Sequence, residues 1–465
     1  MSIGSTHNPL RVAIIGSGPA GFYTLSHLLK AKDLAIRVDM FERLPTPFGL
    51  VRAGVAPDHQ KDKSVTLAFD KHAEASCFRF FGNVEYGTDL TLAELTRAYH
   101  QIVFTTGAPH DRRLGVPGED AHGSYSATEF VAWYNGHPDY AQATFDLNSE
   151  RAVVVGMGNV ALDVARMLTT PIEQLRRTDM ADHALEALAE SKVREVVMLG
   201  RRGALQAAFT PAELKELTEL AGVGLRVNPQ EVTLNGEEAR ALPFADKPAL
   251  KNLALLEAIA ADDAPPSARS IELRFRVSPV VINTDAQGVC GIELAHNQLQ
   301  VDADGWVSVQ STDVREPLTT GLVFKSVGYR GKPVDGLPFD EKTGTVANLD
   351  GRVIDASGEH HTGLYVSGWV KRGAQGVIGT NKTDAKATVA CMLEDLTAGR
   401  MLSAAEGAAV NIDNELRDKQ LHVVDFPAWR WLDQLEIERG QAQSRPRVKF
   451  TEVAAMLAAL QARSG

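Results

Sequence analysis

The sequence predicts an α/β protein with two Rossmann-like units, and three observations carry that reading. Residues 11–21 read Arg-Val-Ala-Ile-Ile-Gly-Ser-Gly-Pro-Ala-Gly, and residues 151–161 read Arg-Ala-Val-Val-Val-Gly-Met-Gly-Asn-Val-Ala. Each is an apolar, mostly β-branched run, the mark of a buried parallel strand, followed by a glycine turn that opens a helix. The two turns, at Gly16 and Gly156, stand 140 residues apart. A third glycine-rich strand-to-helix junction follows at residues 363–381, Gly-Leu-Tyr-Val-Ser-Gly-Trp leading through Val-Lys-Arg-Gly-Ala-Gln-Gly-Val-Ile-Gly-Thr-Asn. One such turn is a weak signal. The repetition is a strong one.

In G-x-G-x-x-G the first glycine permits the tight turn, the second admits a pyrophosphate to the backbone, and the third lets helix and strand pack closely. The helix start adds free N–H groups and partial positive charge. Gly16, Gly18 and Gly21 fill all three places in the first unit, with Pro19 and Ala20 between them; in the second, Ala161 replaces the third glycine. Both units therefore read as dinucleotide sites.

Composition sets the outer limits. The chain has 465 residues, 44% apolar and 23% charged, enough for two large domains or three smaller ones. A net charge of −11 argues against a general nucleic-acid binder, though not against a local basic patch. Cys77, Cys290 and Cys391 stand far apart and form no C-x-x-C, which argues against a redox dithiol or a zinc or iron–sulfur site built from this chain alone. Buried, inert thiols are expected. Neither a signal-peptide pattern nor an apolar run of about 18 residues is present, so no membrane span and a cytoplasmic location are expected.

In chain order, the strand 36–43 ends in Glu42, 21 residues beyond Gly21. That is close to the offset of about 20 at which an acid meets the ribose hydroxyls of an adenine nucleotide, although a surface glutamate would look the same. Residues 44–59 form a Pro- and Gly-rich loop of the shaped kind that often carries function. A helix near 64–75, a strand from Phe78 and another at 101–107 complete this part.

The second unit differs at the corresponding point. Its strand 194–200 ends in Arg201 and Arg202, not an acid. Two guanidiniums suit a ribose 2′-phosphate, so this unit should prefer NADP over NAD and leave a free-ribose nucleotide to the first. Thr210 and Pro211 cap a helix over 211–222 that carries Glu213. Short strands are expected within 271–327, a loop at 264–267, and helices at 384–398, 429–439 and 450–462.

Beyond these patterns the match is closer. Gly-Ser-Gly-Pro-Ala-Gly-Phe (16–22), Leu-Pro-Thr-Pro-Phe-Gly-Leu-Val-Arg (44–52), Val-Ala-Pro-Asp-His (55–59), Gly-Asn-Val-Ala-Leu-Asp-Val-Ala-Arg (158–166), Gly-Arg-Arg-Gly (200–203) and Gly-Trp-Val-Lys-Arg-Gly (368–373) resemble the adrenodoxin reductase family. Among its members the chain looks similar above all to bacterial ferredoxin–NADP reductases of the FprA type. The resemblance spans nearly the whole chain, including the Gly368-Trp369 pair where a generic flavoprotein carries Gly-Asp.

The resemblance implies FAD in the first unit and NADP(H) in the second. Gly16, Ala20 and Glu42 would hold the ADP half of FAD, with backbone contacts from Leu50 and Val84. Trp369 and the Gly376, Val377 and Ile378 backbone would lie at the isoalloxazine. Met157, Gly158, Asn159 and Val160 would meet the NADPH pyrophosphate, Arg201 and Arg202 its 2′-phosphate, with Glu213 and Gly376 adding contacts. His59 and Glu213 match the polar pair near the nicotinamide–flavin contact, where His59 is either catalytic or a structural hydrogen bonder.

The implied reaction passes hydride from NADPH to FAD and single electrons to a ferredoxin-type iron–sulfur protein. That partner would dock on a basic patch, with Arg176, Arg177, Lys192, Arg194 and Lys215 as candidates. The expected layout is an FAD domain of residues 1–107 and 331–465, with the NADP domain of 108–330 inserted between. An NADPH-dependent oxidase or diaphorase with a small-molecule acceptor would show the same motifs. A non-catalytic binding module would have no use for the Arg pair.

Overall fold

The computed structural model describes residues 3–262, 267–404 and 412–464; of the loop expected at 264–267, residues 264–266 lie outside the described residues. The chain divides into two units, one of Met1–His110, Asn135–Pro138 and Gly328–Gly465, the other of Asp111–Tyr134 and Asp139–Val327. The second unit is thus an insertion in the sequence of the first. Among the described residues no helix is long and apolar enough to cross a membrane.

The first unit is built on a seven-stranded sheet. Its five parallel strands run His360–Val366, Gln101–Phe104, Leu10–Ile15, Ile36–Glu42 and Phe78–Gly82, and the short strands Asn348–Leu349 and Arg352–Ile354 add an antiparallel edge. The alternation of Leu10–Ile15 explains its central place. Val12 and Ile14 join a core on one face with Phe22, Leu25 and Trp429, while Ala13 and Ile15 join a second core on the other face with Phe41, Phe81 and Leu95. A strand buried on both faces must be apolar throughout, and each large side chain so buried contributes roughly 1.5–3 kcal/mol. Asp39 is the exception on Ile36–Glu42; Arg79 grips its carboxylate through two bonds of 2.7 Å and Tyr99 donates a third of 2.7 Å.

The second unit has a six-stranded, wholly parallel sheet in the order Ser124–Ser126, Leu322–Lys325, Arg151–Val155, Glu195–Gly200, Arg269–Phe275, Val223–Val227. Helices cover one face around Ala152, Val154, Leu162 and Leu168. The other face, with Val153, Val155, Val197 and Leu199, is covered by a three-stranded antiparallel ribbon, Val277–Asp285, Gly288–Val301 and Val307–Leu318. Of the short strands expected within 271–327, Arg269–Phe275 and Leu322–Lys325 are present with 7 and 4 residues, but the ribbon strands between them are long, with 9, 14 and 12 residues. Val307–Leu318 lies at the ribbon edge with most side chains in solvent, so its polar composition hid its length. The expected burial of the thiols also fails in part. Cys391 is buried and Cys77 half-buried, but Cys290, on the outward side of Gly288–Val301, is exposed.

The helices expected at 211–222, 384–398, 429–439 and 450–462 appear as Pro211–Thr218, Thr380–Thr397, Phe426–Gln441 and Val453–Ser464. Phe426–Gln441 brings Glu436 into the first unit, fully buried. Its carboxylate accepts Arg52 Nη2 at 2.5 Å and Nη1 at 2.8 Å, Arg447 Nη1 at 3.2 Å and the Phe450 N–H at 2.8 Å. Arg52 also stacks over Trp429, and Lys449 Nζ reaches the Arg52 carbonyl at 3.4 Å. The C-terminal segment thereby clamps the loop of residues 44–59.

Burial alone would raise the Glu436 carboxyl, but Arg52 and Arg447 more than offset this and hold it below the ordinary glutamate range. A carboxylate depressed in the folded state adds stability above its unfolded value, about 4.3, and loses it as pH falls through the lower folded value. Glu436→Gln, which leaves Arg52 unpaired, should therefore cost about 3 kcal/mol at neutral pH. The difference from the parent should shrink below about pH 4. Urea unfolding at both pH values checks this; an unchanged difference in acid would contradict it.

Candidate functional site

In the first unit the site forms where the Leu10–Ile15 strand gives way to the helix Pro19–Leu28. Gly16 has φ +102°, and a Cβ there would lie 2.8 Å from the Thr105 carbonyl oxygen. Only glycine fits that turn. Gly18 caps the helix without any side-chain hydrogen bond, and no acid stands in the first turn. At Gly18 an added Cβ would meet no protein atom within 4 Å. The protein's own packing therefore does not require that glycine, whereas a phosphate group approaching the bare helix start would.

Three other segments converge on this turn. The loop of residues 44–59 lies against it: the Phe48 N–H donates to the Ser17 carbonyl at 3.0 Å, and a Cβ on Gly49 would stand 3.0 Å from Gly18 Cα. Phe48 itself is left-handed, φ +82°, and is buried among Phe22, Phe69 and Trp429. The late junction arrives at Gly368, φ +82°, where a Cβ would meet Ala20 Cβ at 2.6 Å. Glu42 ends the neighbouring strand; its Oε2 accepts Ser17 N–H (3.0 Å) and Ser17 Oγ (2.6 Å), and its Oε1 accepts Leu44 N–H (3.1 Å). Glu42 is therefore no solvated surface acid. It ties the glycine turn to the loop and keeps lone-pair capacity on Oε1 for a ribose hydroxyl.

Val84 is buried, its N–H on the Glu42 carbonyl at 2.9 Å, while Leu50 is exposed at the start of the short helix Leu50–Ala53. Trp369 packs against Tyr329 with ring centroids 5.2 Å apart, and its indole Nε1 is buried without a partner among the described residues. That donor is free to meet an acceptor atom of a bound ring system. Gly376 and Val377 are exposed and Ile378 is half-buried. These residues fit FAD.

Sequence reasoning missed Asp384. Its Oδ2 accepts the Gly368 N–H at 2.5 Å and Ser367 Oγ at 3.2 Å, and its Oδ1 pairs with Lys371 Nζ at 3.1 Å. It sets the turn that presents Trp369. The local hint was an acid at the expected start of the helix at 384–398.

The second unit repeats the arrangement. Gly156 has φ +147°, and its Cβ would fall 2.1 Å from the Ser326 carbonyl oxygen. Gly158 starts the helix Asn159–Thr169 with no side-chain cap and no first-turn acid, and an added Cβ would again meet nothing within 4 Å. The Met157 carbonyl accepts the Ala208 N–H and Asn159 Oδ1 the Thr210 N–H, each at 2.8 Å, joining this turn to the segment after the Arg pair. Val160 is half-buried behind them.

Arg201 is exposed and Arg202 half-buried, and neither has a carboxylate partner among the described residues. Burial first, and then the Arg201 charge, push the Arg202 guanidinium below its ordinary value. An anion there would relieve both. Two unpaired guanidiniums at this point fit the 2′-phosphate of NADP(H).

His59 lies in the first unit as the N-cap of Gln60–Lys63, its Nδ1 3.9 Å from Asp62. Glu213 lies in the second unit in the first turn of Pro211–Thr218, its N–H on Thr210 Oγ1 at 3.4 Å.

Comparison with known proteins agrees with this geometry. Residues 10–252 match the pyridine nucleotide-disulphide oxidoreductase family. NADPH-ferredoxin reductase FprA of Mycobacterium tuberculosis is 44% identical over 458 residues, covering 97% of this chain and 98% of that one. The mitochondrial NADPH:adrenodoxin oxidoreductase of Arabidopsis thaliana is 41% identical, covering 98% and 96%. A structure of Mycobacterium tuberculosis FprA in complex with NADPH superposes with a TM-score of 0.92 at 43% identity, over 98% of this chain and 100% of that one. The chain belongs to the pyridine nucleotide-disulphide oxidoreductase family, in the branch of the adrenodoxin reductases and FprA-type ferredoxin reductases.

Proposed function

We propose that this chain is an NADPH-dependent flavoprotein reductase that delivers electrons to a ferredoxin-type iron–sulfur protein. The observation that carries the reading is the pair of uncapped glycine turns, each open at its second glycine, with unpaired arginines beside only one of them. FAD, when bound, accepts an electron pair as hydride and releases electrons singly, the conversion that an iron–sulfur acceptor needs.

The residues of this chain bind and orient. The turn that starts at Gly16 offers the backbone N–H groups of Gly18 and Ala20 to the FAD pyrophosphate, and Glu42 accepts a ribose hydroxyl. Leu50 and Val84 add backbone contacts. The Trp369 indole N–H and the backbone of Gly376, Val377 and Ile378 hold the ring system. Met157 to Val160 cradle the NADPH pyrophosphate, and Arg201 and Arg202 bind its 2′-phosphate. His59 and Glu213 serve as polar contacts to the cofactors, one on each unit, and Gly376 adds a backbone contact to NADPH. Hydride transfer depends on alignment of the reacting carbon and nitrogen, so positioning matters more here than proton transfer. In this reading residues 1–107 and 331–465 form the FAD-binding domain and residues 108–330 the NADP-binding domain.

The acceptor is proposed to dock on basic residues of the second unit. Arg176 and Lys215 are exposed and, among the described residues, make only helix-surface pairs, to Glu173 at 3.7 Å and Glu219 at 3.4 Å, which exchange readily for a partner's carboxylates. Arg194 donates to the backbone carbonyls of Ser191 and Val193 and has no carboxylate partner among the described residues. Arg177 and Lys192 complete the set. A cytoplasmic location belongs to the same proposal.

Replacing both Arg201 and Arg202 with alanine should raise KM for NADPH at least roughly thirtyfold, matching about 2 kcal/mol of charge-assisted hydrogen bonding. KM for NADH should move little. Equal loss for both nucleotides would remove the 2′-phosphate assignment. In a second measurement, ferredoxin reduction should slow steeply as salt rises to about 0.3 M, while ferricyanide reduction stays nearly flat. Matching salt dependence for the two acceptors would instead favour a small-molecule reductase without a protein docking surface.

A further inference from the structure

The turn bearing the Arg pair is held from the antiparallel ribbon as well as from its own strand. The Arg201 carbonyl accepts Asn297 Nδ2 at 2.9 Å, and the Arg202 carbonyl accepts the Arg276 N–H at 3.0 Å. Arg276 directly precedes the strand Val277–Asp285, and Asn297 lies within Gly288–Val301. Both donors therefore belong to the ribbon or its entry.

Both also carry local irregularities. Arg276 has φ +56°, a left-handed conformation seldom taken by a residue with a side chain. It is fixed there on all sides: its guanidinium donates to both oxygens of the buried Glu238 (3.0 and 2.8 Å) and to the Gln230 carbonyl (2.6 Å). Its own carbonyl accepts the Asn297 N–H at 2.7 Å. Asn297 sits at a register shift in the pairing with Val307–Leu318 and is buried. Its amide also donates to Ser278 Oγ at 2.8 Å, and its Oδ1 is buried without a partner among the described residues. A strained residue, a bulge and an incompletely satisfied amide meeting at one turn need a compensating role.

We propose that Asn297, together with Arg276, is a positioning residue for recognition of the ribose 2′-phosphate, fixing the main chain from which Arg201 and Arg202 project. A guanidinium reads phosphate through directional N–H bonds, so a turn that shifts loses selectivity while keeping its charge. The need is greater because Arg201 and Arg202 repel each other and would splay if unrestrained. The ribbon thus contributes to cofactor choice as well as covering the sheet. This inference rests on the assignment of the Arg pair to NADPH.

The test is calorimetric binding of adenosine 2′,5′-bisphosphate and of adenosine 5′-monophosphate to the FAD-loaded enzyme. Asn297→Leu, close in volume but without the donor, should lower the ratio of the two affinities about tenfold. A merely structural defect would weaken both ligands alike and overturn the positioning role, as would an unchanged ratio. If Asn297→Leu does not fold, Asn297→Ser, which keeps a polar group in the bulge on a shorter side chain, carries the same expectation. Arg201→Ala with Arg202→Ala separates the two levels. Loss of the ratio there, with retention in the Asn297 variant, overturns only the role of Asn297. Retention in both overturns the 2′-phosphate assignment and this inference with it.

Discussion

Two glycine turns pressed against a neighbouring strand's backbone are the constraint on which the rest depends. At Gly16 and Gly156 the chain runs so close to the carbonyls of Thr105 and Ser326 that no side chain fits, and both turns require a positive φ. Each delivers the next helix to the end of its sheet with its first N–H groups bare. Caps that most helices would supply from serine, threonine or an acid are missing at both places. The electrostatic demand is left for a ligand to meet, and open space beside Gly18 and Gly158 lets it approach.

From that shared start the units diverge through what stands next to the turn. Beside the first are Glu42, the loop of residues 44–59 and the Gly368–Trp369 junction, drawn from three distant parts of the chain. Glu436 and Asp384, from the two long helices near the C-terminus, hold the loop and the junction in place. Beside the second stands an arginine pair, steadied by the ribbon. An acid bound into the turn suits a free ribose, and two unpaired guanidiniums suit a phosphorylated one. The same backbone device is thereby suited to two different nucleotides.

The local part of this was legible in the sequence. Residues 11–21 and 151–161 carry strand, turn and helix start within eleven residues, and Glu42 and the Arg pair stand at the end of the strand that follows in each unit. What escaped was whatever depends on distant residues. Arg52 and Glu436 stand 384 positions apart, and nothing near either identifies its partner. Asp384 reads as an ordinary acid in a helix. Asn297 lies in a strand whose neighbour is mostly solvated, so neither its burial nor its bond to Arg201 left a periodic signal. The exposed Cys290 escaped for a related reason, since an outward-facing cysteine in a strand looks the same in sequence as an inward one.

The central claim is that FAD sits on the first turn and NADPH on the second, in one electron path. An anaerobic titration followed by visible absorbance tests it most directly. The flavin band of the purified protein should bleach with about one equivalent of NADPH, in keeping with transfer of a single electron pair. The same amount of NADH should leave most of the band intact. A protein that shows no flavin band even after incubation with FAD, or one bleached as readily by NADH as by NADPH, would contradict the claim.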